Sequence, residues 1–194
     1  MKRIEINRKR LGVSLVIIGL ILVLFALQGT FENKLKKAAL MNSDLINLKK
    51  YSALNDKLIY NLPKEWVSKE NDYSLSEVLY NNYFSDKLLD IHGYVEVWKD
   101  DGTLKTFVER SKDSAVKEYE YNNYVSSSSR INNKEAFEVS YTMDSAKLGY
   151  NAYEYYINLD NSVVKFSFFV GKDKNKENYS LLFKTIVETF SYNE

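Results

Sequence analysis

The sequence contains few residues that could perform catalysis or hold a metal ion. Its 194 residues include no Cys and a single His, His92. Disulfides, thiolate metal sites, iron–sulfur clusters, cysteine nucleophiles and multi-histidine metal sites are therefore excluded. There is no G-x-S-x-G nucleophile elbow and no Walker or dinucleotide-binding motif. A general base at His92 needs a partner that the sequence does not place beside it, so we expect a structural or surface role for this residue.

Pairs of carboxylates are the residue types that hydrolyse glycosidic bonds. The candidate pairs are Glu109 with Glu118 and Glu138 with Glu154. Nothing in the sequence sets the separation within either pair, and Glu is common throughout the chain. We therefore predict that the protein is not an enzyme and has no catalytic residue.

Two acidic segments resemble cation sites in composition. Asp100, Asp101 and Gly102 are compatible with a cation-binding turn, and equally with a turn that leads into a helix capped at Asp101 or Thr103. The segment 173–177 lacks the Gly and Glu that a calcium loop needs at its sixth and twelfth positions. We predict no metal ligand and no cofactor.

Tyrosine is the most unusual component, with 16 copies. Tyr is a good strand residue whose ring is amphipathic, so most of these side chains are expected to face a sheet. Exposed Tyr also supplies contact area for a protein or a glycan, and Tyr153, Tyr155 and Tyr156 are the best candidates for such a binding surface. Alternation places Tyr153 and Tyr155 on one face and Tyr156 on the other, so we expect helices to bury at most one of these two sets.

The elements that must position these residues follow from periodicity and turn signals. Period-two alternation and Asn-, Asp- and Ser-rich turns predict an antiparallel meander, and two amphipathic stripes predict helices that pack on it, which is an α+β fold. The stripe of the second helix consists of Leu182, Phe183, Ile186, Val187 and Phe190. Strands are predicted at 58–62, 66–67, 91–98, 116–125, 136–143, 150–159 and 163–170, and helices at 101–117 and 179–190.

The N-terminal region has a different composition. Residues 11–27 carry no charge, and extension to residue 31 gives a segment of roughly 31 Å as a helix, enough to cross a bilayer. The apolar core is longer than that of a cleaved signal peptide, and no small-x-small cleavage site follows it. We predict a cytoplasmic basic tip at 1–10, a transmembrane anchor at 11–31, a stalk helix or linker at 32–48 and an extracytoplasmic domain at 49–194.

Charge indicates the orientation of this anchor. Five basic residues precede the span and three follow it, which favours a cytoplasmic N-terminus and a C-terminal domain outside the cytoplasm. The first ten residues carry +4 and the remainder −3, for a net charge of +1. Because there is no basic excess to neutralise phosphates, we predict no nucleic-acid partner. The expected location is the cell membrane, with a single span.

Two segments resemble the family of PsbP, the extrinsic photosystem II protein, and its bacterial relatives such as DcrB-like lipoproteins. They are Tyr60-Asn61-Leu62-Pro63-Lys64-Glu65-Trp66 and Gly93-Tyr94-Val95-Glu96-Val97-Trp98. The helix after them, the long meander and the closing helix that ends at Phe190-Ser191 extend the resemblance over residues 49–191. The resemblance implies a central antiparallel sheet covered by helices and a mostly non-enzymatic role. PsbP holds metal at histidines, and with only His92 present no ligand is carried over.

These observations predict a non-catalytic membrane protein whose outer domain binds another envelope component, a protein, in assembly or regulation of a surface complex. One alternative is a sensor that binds a ligand or cell-wall glycan through the Tyr-rich sheet. Another is a minor pilin-like or secretion-system subunit, but Gly12 is followed by Val13 and no Glu lies five residues into the apolar run.

Overall fold

The computed structural model describes residues 47–72, 77–116, 120–144, 149–159, 161–175 and 178–193. The predicted basic tip 1–10, anchor 11–31 and all but the last two residues of the predicted linker 32–48 lie outside these ranges. Asn47–Glu194 forms one compact unit. Among the described residues, no helix combines the length and the apolar character needed to cross a membrane.

Ten strands and two α-helices are described in this unit. The strands are β1 (Leu48–Ala53), β2 (Leu58–Pro63), β3 (Val67–Glu70), β4 (Val78–Asp86), β5 (Ile91–Lys99), β6 (Glu120–Ile131), β7 (Lys134–Asp144), β8 (Gly149–Asn158), β9 (Ser162–Gly171) and β10 (Ser191–Tyr192). The helices are α1 (Leu104–Val116) and α2 (Tyr179–Val187), and a short 3₁₀ turn occupies Lys172–Lys174.

The described strands form two antiparallel sheets. The larger has seven strands in the order β3-β4-β5-β9-β8-β7-β6, and the smaller has the order β1-β2-β10. The large sheet consists of two meanders, β3 to β5 and β6 to β9, which join where β5 pairs with β9. The predicted α+β arrangement of an antiparallel sheet with two packed helices is confirmed, but the single meander is not.

Helix α1 begins as the sequence predicts and packs on one face of the large sheet. The hydroxyl of Thr103 accepts a hydrogen bond from the backbone N–H of Thr106 at 3.2 Å, which caps the first turn. Leu104, Phe107 and Val108 lie on the buried side of the helix. They belong to one apolar cluster with side chains of β7 and β8, among them Val139 and Ala152.

Helix α2 packs on the opposite face of the same sheet. All five residues of its predicted apolar stripe are buried. The ring of Phe183 stacks on Phe168 of β9, with 4.3 Å between ring centroids. The helix ends at Val187, earlier than predicted, yet Phe190 remains buried beside Phe166. The sheet is therefore covered by a helix on each face.

The predicted turn between β6 and β7 is a two-residue loop. Asn132 and Asn133 have φ of 50° and 66°, the left-handed conformation that a type I′ hairpin requires and that Asn tolerates. The side-chain amide of Asn132 also donates to the backbone carbonyls of Glu188, at 3.1 Å, and Phe190, at 2.5 Å. These two hydrogen bonds attach the segment that follows α2 to the β6–β7 turn.

Three of the described strands, β1, β4 and β10, were not predicted, and β6 runs beyond its predicted end. β4 was missed because Asn81 and Asn82 interrupt the apolar alternation at its centre, although both side chains are buried. The four serines at 126–129 lie beyond the predicted strand end at residue 125, yet they belong to β6 and pair with β7. In β5, Gly93 is required, since an added Cβ would lie 1.9 Å from the carbonyl oxygen of Ser167.

Candidate binding groove

The three tyrosines predicted as a binding surface do not form one. Tyr155 is 4% exposed and Tyr156 is 2% exposed, so neither presents a ring to a partner. Tyr153 is half-buried, with its ring 5.4 Å from that of Phe183. Tyr155 donates a hydrogen bond to the carbonyl of Ser180 at the start of α2. The expectation that helices bury at most one of the two sets is wrong, because α2 covers Tyr155 while α1 covers Tyr156 from the other side.

The predicted carboxylate pair of Glu138 and Glu154 is separated by the sheet. Glu138 forms an ion pair with Lys184 of α2, with 2.7 Å between Oε1 and Nζ. Glu154 faces α1 and is paired with Lys165 at 2.9 Å. Of the other candidate pair, Glu109 is exposed on α1 and Glu118 lies outside the described residues.

The turn of Asp100, Asp101 and Gly102 leads into the cap of α1, the second of its two sequence interpretations. The carboxylate of Asp100 forms an ion pair with Arg110, two turns into the helix. Asp101 is exposed. Within the described ranges, no three His, Asp or Glu side chains converge as a metal site would require.

His92 lies in an aromatic environment on β5. Its ring stacks on Phe169 at 5.3 Å and meets the edge of Tyr150 at 5.1 Å. Burial lowers the pKa of His92 below its ordinary value, and the nearby carboxylate of Asp90 opposes that shift. The ring is thus kept uncharged at neutral pH, as a packing residue would be.

A groove of about 960 Å³ lies beside α1, where β5 ends and the β8–β9 turn approaches. We call it the α1 groove. Its charged lining residues are Glu77, Lys99, Asp100, Asp101, Arg110 and Lys165, and its uncharged ones are Trp98, Phe107, Ser111, Ser114 and Asn161. This volume is at the upper end of the range for small-molecule sites, and the lining combines aromatic rings with polar groups.

Lys165, in the wall of the α1 groove, belongs to a buried ionic cluster beneath α1. The carboxylate of Glu154 accepts from Lys165 at 2.9 Å, from Ser167 at 3.3 Å and from the hydroxyl of Tyr156 at 2.6 Å. Burial alone would lower the pKa of Lys165, but the carboxylates of Glu154 and Glu96 outweigh it and raise that pKa. The amine therefore stays protonated, which makes it a fixed positive charge and not a nucleophile or base.

Trp98 forms the aromatic wall. Its indole N–H donates to the carboxylate of Glu96 at 3.3 Å, and the same carboxylate accepts from the amide of Asn81 at 2.7 Å. The ring of Phe107 lies 6.3 Å away in an edge-on arrangement. These contacts fix the indole orientation before any ligand arrives.

The base of the α1 groove also contains an unpaired acceptor. The side chain of Asp100 is 7% exposed, and one of its oxygens pairs with Arg110. The other oxygen, Oδ2, is buried, and no hydrogen-bond partner for it lies among the described residues. A buried acceptor in this state gains free energy when a donor reaches it.

Sequence reasoning missed the α1 groove as a whole, although it predicted two of its parts. The strand predicted at 91–98 has a period of two that puts Tyr94, Glu96 and Trp98 on one face, as in β5, and a helix was predicted after it. The approach of Lys165 and Asn161 from the β8–β9 hairpin could not be read from the sequence. The available signal was a Lys inside an otherwise apolar strand, a residue that must find a carboxylate when buried.

Comparison with solved structures identifies the fold. The solution structure of CyanoP, the cyanobacterial PsbP of Synechocystis sp. PCC 6803, matches 76% of this chain and 93% of its own length, with 16% identity and a TM-score of 0.55. The chain has a PsbP-like fold. The resemblance noted in the sequence is thus confirmed at the level of the fold, while no protein-family model and no curated protein matches the chain significantly.

Two further solved structures match the chain less well. A protein from Bacteroides thetaiotaomicron VPI-5482 matches 75% of this chain at 12% identity and a TM-score of 0.52, but the match spans only 48% of that protein. LpqN of Mycobacterium tuberculosis, described as involved in cell envelope biogenesis, matches 75% of this chain and 91% of its own, at 9% identity and a TM-score of 0.45. At these identities the likeness concerns the fold alone.

Proposed function

We propose that this chain is a non-catalytic binding module, held at the cell membrane by residues 11–31, whose PsbP-like domain lies outside the cytoplasm. It binds another component of the envelope in the α1 groove and so contributes to the assembly or regulation of a surface complex. The observation that carries this proposal is the α1 groove itself, a preformed concave site of about 960 Å³.

The electrostatics of the α1 groove support binding over catalysis. Catalytic acids and bases are poised to exchange protons near neutral pH. Here the pKa of Lys165 is raised, and Arg110 is neutralised by Asp100. Lys165 is thereby held in one charge state, and Arg110 is held by its ion pair with Asp100, which suits a binding site.

The anchor is supported by the uncharged run and its basic flanks. Deletion of residues 2–31 is expected to move the chain from the membrane fraction to the soluble fraction, because the remaining domain offers no comparable apolar segment in its sequence. If the shortened chain still sedimented with membranes, the anchor would have been assigned to the wrong segment.

Site-specific photo-crosslinking in native membranes tests the binding role. A photoreactive residue at Ser114, exposed in the wall of the α1 groove, is expected to form an adduct with an envelope component. The same residue at Lys87, exposed in the β4–β5 turn, is the control and is expected to form none. Trp98→Ala should lower the Ser114 adduct by about tenfold, the equivalent of one fixed aromatic contact.

Two results would overturn the proposal. One is an equal adduct at Ser114 and Lys87, because labelling would then not depend on the α1 groove. The other is hydrolysis of peptidoglycan or of an ester by the purified full chain at a rate that Trp98→Ala abolishes.

A further inference from the structure

The outward row of β5 continues the α1 groove across the open part of the sheet. His92, Tyr94, Glu96 and Trp98 alternate with buried residues, and all four are half-buried. At about 3.4 Å per residue, the row from His92 to Trp98 is roughly 20 Å long. Helix α1 packs on β7 and β8, to one side of this row.

Both ends of the row are aromatic. At the far end, Tyr94 lies against Tyr83 with 5.4 Å between centroids, and His92 lies between Phe169 and Tyr150. At the groove end, Trp98 meets Phe107. The side chains of Asn81 and Glu96, which are hydrogen-bonded to each other, lie between the two aromatic groups. The surface thus presents ring, polar group and ring in line.

Acidic side chains outnumber basic ones along this surface. The lining of the α1 groove contains three basic and three acidic residues. Glu96 in the β5 row and Glu154, which pairs with Lys165 from outside that lining, add two further carboxylates. At the far end burial lowers the pKa of His92, against the effect of Asp90, which keeps that ring neutral. An anion is therefore disfavoured, whereas the hydroxyl groups of an uncharged ligand find carboxylate acceptors.

We propose that the α1 groove and the outward row of β5 together bind a linear, uncharged saccharide chain. This inference rests on the proposed binding function and names its ligand class. The C–H faces of sugar rings pack on aromatic rings, while their hydroxyls bond to carboxylate and amide groups, which matches the order of groups along β5.

The length of the surface gives the experiment its main contrast. Binding of chitohexaose and of chitobiose to the purified full chain in detergent is measured by calorimetry. The hexamer spans both aromatic ends and the dimer only one, so the hexamer should bind at least about tenfold more tightly. An anionic oligogalacturonate of similar length should bind more weakly than the hexamer.

Variants separate the two ends. Trp98→Ala should weaken both saccharides about tenfold. Tyr94→Ala should remove the advantage of the hexamer and leave dimer binding unchanged. Glu96→Gln keeps the shape of the side chain and removes its charge. It tests the polar group between the two aromatic ends even if an alanine variant does not fold. Tyr51→Ala, at a half-buried ring on β1, is the matched control and should change neither affinity.

The outcomes distinguish this inference from the proposed function. If neither saccharide binds while the Ser114 adduct still forms and depends on Trp98, the ligand class is wrong and the groove function stands. Preference for the anionic oligomer, or affinity independent of length, likewise overturns the inference. Loss of both saccharide binding and the adduct overturns the two proposals together.

Discussion

The two faces of the seven-stranded sheet are built from different chemistry. The face beneath α2 and the small sheet is mainly apolar. The side chains of Val95, Val97, Phe166 and Phe168 on this face are fully buried. The face beneath α1 carries Glu154 and Lys165 in its interior and open aromatic and polar groups beyond the helix. Every strand contributes to both faces, because successive side chains point to opposite sides.

This difference separates stability from binding. Rings on the apolar face contact one another closely, as in the stack of Phe168 on Phe183, and burial there supplies the main driving force for folding. On the other face, polar side chains form ion pairs and hydrogen bonds with one another, and a groove remains between α1 and the sheet. We conclude that the mainly apolar face supplies most of the apolar burial and that the proposed binding site lies on the polar face.

The largest contrast is expected between Phe168→Ala and Phe169→Ala, adjacent residues on opposite faces. Phe168 is fully buried among Phe84, Tyr155 and Phe183, so its loss should lower the free energy of unfolding by about 4 kcal/mol. Phe169 is half-buried against His92, and its loss should cost about 1 kcal/mol. Urea denaturation measures both, and equal losses would contradict the division between the faces.

The ionic cluster gives the next largest effect. Glu154→Ala leaves the ammonium of Lys165 without its partner beneath α1 and should cost about 3 kcal/mol. Glu138→Ala breaks the more exposed pair with Lys184 and should cost less than about 1 kcal/mol. The double variant Glu154→Ala, Lys165→Met should recover part of the loss, since no unpaired charge remains buried. A double variant less stable than the single one would show that the cluster is not organised around this pair.

Alkaline pH should weaken the fold through buried tyrosines on both faces, and Tyr156 is the one beneath α1 that can be tested most directly. Burial, followed by the charge of Glu154, raises the pKa of Tyr156 above its ordinary value of 10.0. This contribution is present below pH 10 and is lost as pH rises toward the folded-state pKa, by about 1.4 kcal/mol per pH unit for one group. Tyr156→Phe should reduce that slope in denaturation curves above pH 10. An unchanged slope would assign the alkaline loss to other groups.

The smallest effect is expected at His92. Because burial lowers its pKa, the neutral ring stabilises the fold above pH 6.5, and that contribution declines as pH falls below 6.5. Solvent screening of a half-buried ring keeps the change below about 1 kcal/mol. His92→Phe should flatten stability between pH 6.5 and 5, as thermal melting can show. A steeper decline in the variant would mean that protonation of His92 stabilises the fold.

Much of the fold could be predicted from local patterns. The alternation in β5, the apolar stripe of α2 and the Asn132-Asn133 turn are each encoded within a few residues. β4 could not be predicted, because its buried amides look unfavourable until their partners are known. Asn82 donates to the hydroxyl of Tyr60 at 2.8 Å, a contact between residues that only the small sheet brings together.

The candidate site was less predictable than the fold. The sequence indicated that Tyr153, Tyr155 and Tyr156 were suited to an exposed surface, and the same residues were equally suited to a core. Exposure depends on what covers a strand, and two helices from distant parts of the chain cover β8 on both sides. For Trp98, the alternation of residues in β5 predicted the correct face of the sheet. It did not predict that a groove lies on that face.

By itself the sequence determined the class of protein: a strand-rich domain with two amphipathic helices, no cysteine chemistry and one histidine. Those properties follow from composition and from periods of a few residues, which local backbone geometry decides. Only the tertiary structure decided which face is apolar, which charges are paired and where a concave surface opens. Glu154 and Lys165 are separated by ten residues of sequence, and it is the β8–β9 hairpin that makes them one ion pair beneath α1.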